Sequence, residues 1–214
     1  FITGLYSRYS NTIKAAKEVI GIREGYNTFG TMHIINSPKG QYYIGDTLVN
    51  RSPSATDLVD IARLSAHTVG FFNDTPNIAM ISYSNFGSDT DASALKVRKA
   101  VEQLHVNYPK LAADGEMQIG VALNEKQRDE KYPFNSLKGK KINTLVFPCL
   151  TSARSAFRML QCLDPDVEII GPIQMGLNKP IHFTDFESSV RDVVNITAVA
   201  VIDAYVEKIK NQIK

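Results

Sequence analysis

The sequence lacks long apolar runs and has almost no net charge. Its longest apolar stretch, residues 193–206, is interrupted by Asn195, Thr197 and Asp203 and is shorter than the ~20 residues that a bilayer requires. We therefore predict a buried helix there, not a membrane span. A net charge of +2, from 24 Lys and Arg against 22 Asp and Glu, provides no broad positive surface for nucleic acid or an anionic membrane.

Cysteine is scarce, and no targeting signal opens the chain. Cys149 and Cys162 match neither a CxxC motif nor a zinc-ligand spacing. We predict that Cys149 ends a strand, that Cys162 lies in a helix, and that both are buried free thiols of a cytoplasmic protein. The chain starts at Phe1 without a Met, inside an apolar segment, so we expect a fragment of a longer protein.

Several catalytic motifs are also missing from the sequence. The histidines form no HExxH or other ligand cluster, so we expect no metal, and His67 and His105 are interpreted as helix-surface or hydrogen-bonded residues. No GxSxG motif supports hydrolase chemistry. No P-loop and no dinucleotide fingerprint is present.

The sequence does contain alternating strand and helix patterns. Because 43% of the 214 residues are hydrophobic, one large domain or two small ones can bury a core. The alternation predicts the α/β class, with layered, mostly parallel sheets and flanking helices. The predicted strands are 28–36, 41–46, 77–84, 143–148 and 168–175, and the predicted helices are 12–20, 55–72, 94–108, 152–163 and from about 189 to the C-terminus.

Local signals refine this pattern. "SPKG" between the first two strands predicts a hairpin. Ser54 and Asp57 have the spacing of a capping box at the start of the second helix. The charged segment 124–141, punctuated by Gly and Pro, is predicted to be a surface excursion.

Three predicted loops follow strands, where open α/β sheets bind ligands. In "SYSNFGSDTD" (82–91), small hydroxyl residues and Gly87 suit either an anion site at a helix start or an ordinary capped turn. "ADGEMQ" (113–118) places Asp114 and Glu116 beside a Gly, for acid–base work or as a solvated turn. In the third loop, Ser188 or Ser189 can cap the last helix, and Asp192 is a cap-region carboxylate or a base.

Longer motifs resemble a known family. "SYSNFGS", "DGEMQ" and "GPIQMGLNKPIHFTDFESSVRDVVNITAVAVIDA" resemble the phosphate acetyl/butyryl-transferase family, as do "GDTLVNRSPSATDLVDIARLSA" and "YPFNSLKGKKINTLVFPCL". The family tends towards DGELQ and STKGS. "DGEMQ" and "SNFGS" are more similar to the C-terminal transferase-like domain of multidomain NADP-dependent malic enzymes.

This resemblance implies two α/β lobes with a coenzyme A site between them. Residues 1–22 and 177–214 would be a partial first lobe, and residues 23–176 the second. It also implies acetyl-CoA as ligand, a homo-oligomer, and a malic-enzyme catalytic domain in the same polypeptide that holds NADP and a divalent metal. The last helix would then be a core helix or face another subunit.

Substitutions within the resemblance argue against acyl transfer. The catalytic Ser of active transferases falls on Asp185, the neighbouring Arg on Phe186, and the later Asp on Asp192, which could still be the base. A carboxylate ~4 Å from a phosphate charge repels it by about 4 kcal/mol at an effective dielectric near 20, or roughly a thousandfold in rate. The Lys of STKGS is Phe86 here, and a further family Arg is Lys14.

We therefore expect an acetyl-CoA-binding, regulatory domain; the alternatives are an active phosphate acyltransferase and a purely structural oligomerisation domain. The predicted ligand-binding residues are Lys14, Ser84, Asn85, Gly87, Ser88, Asn178, Lys179, Asp185, Ser188 and Ser189.

Overall fold

The computed structural model describes residues 1–4, 9–184 and 188–212, which contain eight strands and seven helices. The strands are β1 (Ile2–Thr3), β2 (Gly30–Ser37), β3 (Gly40–Gly45), β4 (Ile78–Ile81), β5 (Ala113–Met117), β6 (Thr144–Val146), β7 (Glu168–Met175) and β8 (His182–Phe183). The helices are α1 (Tyr9–Ile20), α2 (Ala55–Phe71), α3 (Ala92–Asn107), α4 (Ile119–Ala122), α5 (Glu125–Lys131), α6 (Leu150–Leu163) and α7 (Val190–Gln212).

Six strands form one sheet in the order β5-β4-β6-β3-β2-β7. The pairs β5–β4, β4–β6 and β6–β3 are parallel, whereas β2 is antiparallel to both β3 and β7. β7 therefore runs in the same direction as β3, and every strand except β2 ends at one edge, which we call the carboxyl edge. The predicted mostly parallel α/β sheet is confirmed.

Helices cover both faces of this sheet, which explains the nearly continuous apolar strands. Along β4, Ile78 and Met80 face α2 and α3, where Leu58 and Leu104 pack on them. Ala79 and Ile81 belong to the core on the opposite face, which includes Phe157 of α6. A strand buried on one face only would alternate apolar and polar residues. Because β4 is buried on both faces, its residues are apolar throughout.

The local signals were predicted correctly. β2 and β3 form the hairpin, with Ser37 opposite Gly40 across the turn. At the start of α2, the Ser54 side chain accepts a hydrogen bond from the Asp57 backbone N–H, and the Asp57 carboxylate accepts one from the Ser54 N–H. This capping box satisfies two N–H groups that a helix end leaves unpaired.

The prediction of a loop at residues 113–118 is wrong. Residues 113–117 form β5, an edge strand paired in parallel with β4, and Gln118 is the N-cap of α4. Asp114 and Glu116 are buried, not solvated. Both carboxylates accept hydrogen bonds there, Asp114 from the Ser136 N–H and Glu116 from the Gly87 N–H, and these bonds compensate their burial.

Three burial predictions also need correction. α7 is not a buried helix, because only Ile196, Val199 and Ala200 are buried among its described side chains, while Val201 is 64% exposed. The helix packs one face on β7 and leaves the other open. Neither cysteine is buried as predicted: Cys149 is only partly buried, and Cys162 is exposed, as are all residues of the last turns of α6.

Segment 124–141 is more than a surface excursion. Arg128 is fully buried, and its guanidinium donates hydrogen bonds to the carbonyls of Leu137 and Lys140, both 2.9 Å, and pairs with Asp129 at 3.0 Å. A single cation thus holds the segment together, because one guanidinium can satisfy several acceptors.

The residues assigned to a partial first lobe form β1, α1, β8 and α7. β1 pairs in parallel with β8, and Ile13 of α1 packs with Leu177 and Phe183. The division into two lobes stays a prediction. Within the ranges that the structure describes, no helix combines the length and the apolar character needed to cross a membrane.

Candidate functional site

The loop of residues 84–88 follows β4 at the carboxyl edge and closes around one buried carboxylate. The Ser84 hydroxyl and the Gly87 backbone N–H each donate a hydrogen bond of 2.8 Å to Oε1 of Glu116. The Phe86 N–H donates to the Glu116 carbonyl at 2.7 Å. The loop therefore does surround an anion, as predicted, but the anion is the Glu116 carboxylate of the protein itself.

Arg98 of α3 neutralises this carboxylate. Its Nη2 lies 3.0 Å from Oε1 of Glu116 and its Nε 3.1 Å from Oε2, so the guanidinium binds both oxygens. Burial alone would raise the pKa of Glu116, but the hydrogen bonds from Arg98, Gly87 and Ser84 outweigh it and lower that pKa. The hydrogen bond to Glu116 in turn raises the pKa of Arg98. Both groups are therefore charged at neutral pH.

Further hydrogen bonds fix the loop internally. The Asn85 N–H donates to the Ser88 hydroxyl at 2.9 Å, and the hydroxyls of Ser84 and Ser88 are 3.1 Å apart. The Gln118 N–H, just after β5, donates to Oδ1 of Asn85 at 2.8 Å. Four predicted ligand residues, Ser84, Asn85, Gly87 and Ser88, are thus brought together.

Two consecutive residues of the loop have positive φ. Gly87, at 95°, tolerates this conformation, whereas Phe86, at 44°, adopts one that costs a non-glycine residue about 1 kcal/mol or more. The bonds to Glu116 on either side of Phe86 hold it there. As a result its ring contacts Tyr132 and Phe134, with centroid distances of 4.8 and 5.3 Å.

Asn178 and Lys179 also lie beyond the carboxyl edge, but at the far side of the sheet. They follow β7, four strands from β4, which corresponds to about 19 Å at about 4.8 Å per strand. Nδ2 of Asn178 donates to the Ile20 carbonyl at 3.0 Å, and Nζ of Lys179 pairs with Glu207 of α7 at 2.7 Å. Lys14 is exposed on α1.

Ser189 and Asp192 form a cap at the start of α7, as predicted for Ser189. Oδ2 of Asp192 accepts hydrogen bonds from the Ser189 N–H (2.8 Å) and hydroxyl (2.7 Å), and the Asp192 N–H donates to that hydroxyl. The adjacent Arg191 pairs with Glu168, the first residue of β7, at 2.6 Å. The cap therefore lies at the edge of the sheet opposite the 84–88 loop.

The structure does not bring all the predicted ligand-binding residues together in one site. Ser188, half-buried, adjoins the cap of α7. Asp185 and the neighbouring Phe186, on which the substitution argument depends, lie outside the described residues. The cluster at the 84–88 loop and the residues near α7 are thus separate within this chain.

Residues 1–201 match the family described as phosphate acetyl/butaryl transferase. The chain belongs to this family. It is similar to the NADP-dependent malic enzyme of Escherichia coli (strain K12), with 38% identity over 203 residues that cover 95% of this chain and 27% of that enzyme. It is also similar to the phosphate acetyltransferase of Bacillus subtilis (strain 168), with 30% identity over 95% of this chain and 62% of that protein.

Solved structures of the family have the same fold. A phosphotransacetylase from Streptococcus pyogenes superposes with a TM-score of 0.86 and 32% identity, covering 95% of this chain and 61% of that one. The EutD phosphotransacetylase from Staphylococcus aureus gives a TM-score of 0.82 and 29% identity. The chain thus spans about three fifths of these structures and about a quarter of the malic enzyme.

In this family member, sequence reasoning missed the Glu116–Arg98 pair as the support of the loop. The sequence predicts Glu116 only as a possible acid or base, and it predicts no role for Arg98. The partners are 18 residues apart on different elements, so no local pattern relates them. Because residues 113–118 read as a turn, the sequence gives no signal that Glu116 is buried and so requires a partner.

Two other ionisable side chains near the sheet, Cys149 and His33, have pKa values shifted by their surroundings. Cys149 occupies the N-cap position of α6 without a side-chain cap hydrogen bond. Burial would raise the pKa of its thiol, but interactions with Ser152 and Thr151 lower it overall. Burial, assisted by Arg158 and Arg154, lowers the pKa of His33 to about 3, so this ring is neutral. Among the described residues, no three His, Cys, Asp or Glu side chains are grouped to hold a metal.

Proposed function

We propose that this chain is the phosphotransacetylase-like regulatory and oligomerisation domain of an NADP-dependent malic enzyme. It binds acetyl-CoA without efficient acyl transfer to phosphate. The observation that carries the proposal is the similarity along 95% of the chain to a malic enzyme of which this region is 27%. Oxidative decarboxylation of malate to pyruvate, with NADP and a divalent metal, belongs to the catalytic domain of the same polypeptide in the cytoplasm.

The chemistry of the loop supports the absence of transfer. Acetyl phosphate needs a cation to hold its phosphoryl group, and the attacking thiol needs a base. Phe86 stands where the transferases have a Lys, and its ring packs into an aromatic contact. The Asp192 carboxylate is engaged as a helix cap. Phe86 therefore provides no cation for the phosphoryl group, and Oδ2 of Asp192 already accepts two hydrogen bonds from Ser189.

The same loop supports ligand binding. The 84–88 loop is held by a charged pair and by its own hydroxyl bonds. It is therefore already ordered and loses little conformational entropy when a ligand binds. Loops at the carboxyl ends of parallel strands are the usual ligand sites of α/β sheets. The open face of α7, which includes Val194 and Tyr205, supports a role in assembly because exposed apolar patches mark contact surfaces.

The second candidate is an active phosphate acetyl/butyryltransferase. Its specific support is the 30% identity to a phosphate acetyltransferase over 62% of that protein's length. Under this reading, another cation replaces the missing Lys. Arg154, exposed on α6, is the residue to substitute in testing that idea.

The test uses the full-length protein and three measurements. We expect calorimetry to show acetyl-CoA binding, the malate rate to change with acetyl-CoA, and acetyl-CoA formation from acetyl phosphate to stay near background. Transfer at ordinary turnover would establish the second candidate instead. If saturating acetyl-CoA produced no heat and did not change the malate rate, the chain would be a purely structural oligomerisation domain.

A further inference from the structure

Three aromatic rings meet beside the 84–88 loop and form what we call the aromatic cluster, Phe86, Tyr132 and Phe134. The centroid of Phe86 lies 4.8 Å from that of Tyr132 and 5.3 Å from that of Phe134, and Tyr132 and Phe134 are 6.1 Å apart. Phe86 and Tyr132 pack against the core, whereas Phe134 is 70% exposed. The inner rings therefore hold the outer ring in place while its surface stays open.

The position of the cluster connects it to the candidate site. Phe86 belongs to the 84–88 loop, and its positive φ is maintained by the bonds of its neighbours to Glu116. Tyr132 is the C-cap residue of α5, and Phe134 follows it two residues later. The charged pair that shapes the loop thus also positions the ring that supports Phe134.

The chemistry of the cluster suits a flat, phosphorylated ligand. An exposed aromatic ring held by edge-on neighbours offers its face for stacking, and any nucleobase has a matching face. Nζ of Lys131 lies 5.5 Å from the Tyr132 centroid and adds a positive charge beside the rings. A positive charge at this place attracts the phosphate groups of a ligand that stacks on the rings.

We propose that the aromatic cluster is the stacking site for the adenine ring of a coenzyme A thioester. The proposal rests on the acetyl-CoA binding proposed above and names the part of the ligand that these residues hold. It also assigns a function to Phe86. The ring that stands in place of the transferases' Lys supports the stacked adenine, whereas the Lys would bind a phosphoryl group.

The experiment compares two ligands on the full-length protein by calorimetry, acetyl-CoA and acetyl-phosphopantetheine, which lacks the adenosine portion. Phe134→Ala should weaken acetyl-CoA binding by about fivefold to a hundredfold, the range measured for loss of one stacked base. It should leave acetyl-phosphopantetheine binding unchanged. Phe134→Tyr should restore the affinity for acetyl-CoA, since it keeps the ring.

Leu163→Ala is the matched control, because Leu163 is 75% exposed on α6 and lies outside the cluster. It should change neither affinity. Unchanged acetyl-CoA binding in Phe134→Ala would overturn the adenine site while the proposed function stands. A change of oligomeric state in that variant with unaltered affinity would also overturn it and make the cluster a subunit contact. If the wild type binds neither ligand, the proposed function fails first.

Discussion

Replacing Glu116 by Gln tests whether the buried charged pair holds the 84–88 loop. The amide keeps the size of the carboxylate but removes its charge, so the Arg98 guanidinium, now 3.0 Å from a neutral or donor atom, loses its partner. Breaking a buried ion pair from one side costs about 3–5 kcal/mol. Because 27% of the Arg98 side chain is exposed, water compensates in part, and we take the lower end, about 3 kcal/mol.

Hydrogen exchange measures this loss where it occurs. If the loop opens locally, about 3 kcal/mol corresponds to roughly a hundredfold faster exchange of the amides in residues 84–91, including the Gly87 N–H. Amides of the β2–β3 hairpin, on other strands of the sheet, should keep their rates. The measurement needs no assumption that the whole protein unfolds in one step.

Glu130→Gln is the control for the charge change. Its side chain is 68% exposed and its pair with Lys126 is 4.0 Å long, so the variant should leave residues 84–91 unchanged. Acceleration below about threefold in Glu116→Gln would refute the reasoning. It would mean that the hydroxyl and backbone bonds alone hold the loop.

Three further predictions concern the same protein. The pKa of Glu116 is lowered in the folded chain, so its stabilisation of the 84–88 loop should be complete at neutral pH and be lost only as the pH falls below about 4.5. Hydrogen exchange of residues 84–91 measured against pH would show this. A loss of protection between pH 7 and 6 would contradict it. Asp192→Ala should destabilise the start of α7 by about 1 kcal/mol, seen as faster exchange there, without changing acetyl-CoA affinity; a lost affinity would make Asp192 a ligand residue. Arg128→Leu should leave the carbonyls of Leu137 and Lys140 unpaired and cost about 2–4 kcal/mol, lowering the thermal midpoint, and an unchanged midpoint would show that water replaces the guanidinium.

The parts of the fold that could be predicted are those set by neighbours in sequence. The hairpin depends on the turn between Ser37 and Gly40, and the capping box on Ser54 and Asp57, three residues apart. The strand β4 was recognisable because burial on both faces leaves an unbroken apolar run. In each case the physical cause lies within a few residues.

The errors arose where the partner is distant. β5 reads as a turn because Asp114, Gly115 and Glu116 are polar or flexible, and the bonds that make their burial possible come from Ser136, Arg98 and the loop after β4. The exposure of α7 had a different cause. An apolar composition shows that a helix has something to bury, but not whether the covering surface lies in the same chain.

The carboxylate inside the 84–88 loop also determines which anions the loop can accept. A phosphate that took the Gly87 N–H would replace or approach a carboxylate oxygen that lies 2.8 Å from that nitrogen. The carboxylate alone would repel a phosphate charge ~4 Å away by about 4 kcal/mol at an effective dielectric near 20. Arg98 offsets part of this repulsion, but the phosphate would still have to displace Glu116 from the Gly87 N–H and the Ser84 hydroxyl. We therefore expect inorganic phosphate at millimolar concentration not to compete with acetyl-CoA beyond the effect of chloride at equal ionic strength, measured by calorimetry. Competition at low millimolar phosphate would show that Glu116 leaves the loop when a ligand arrives, and that the site retains the anion chemistry of the transferases.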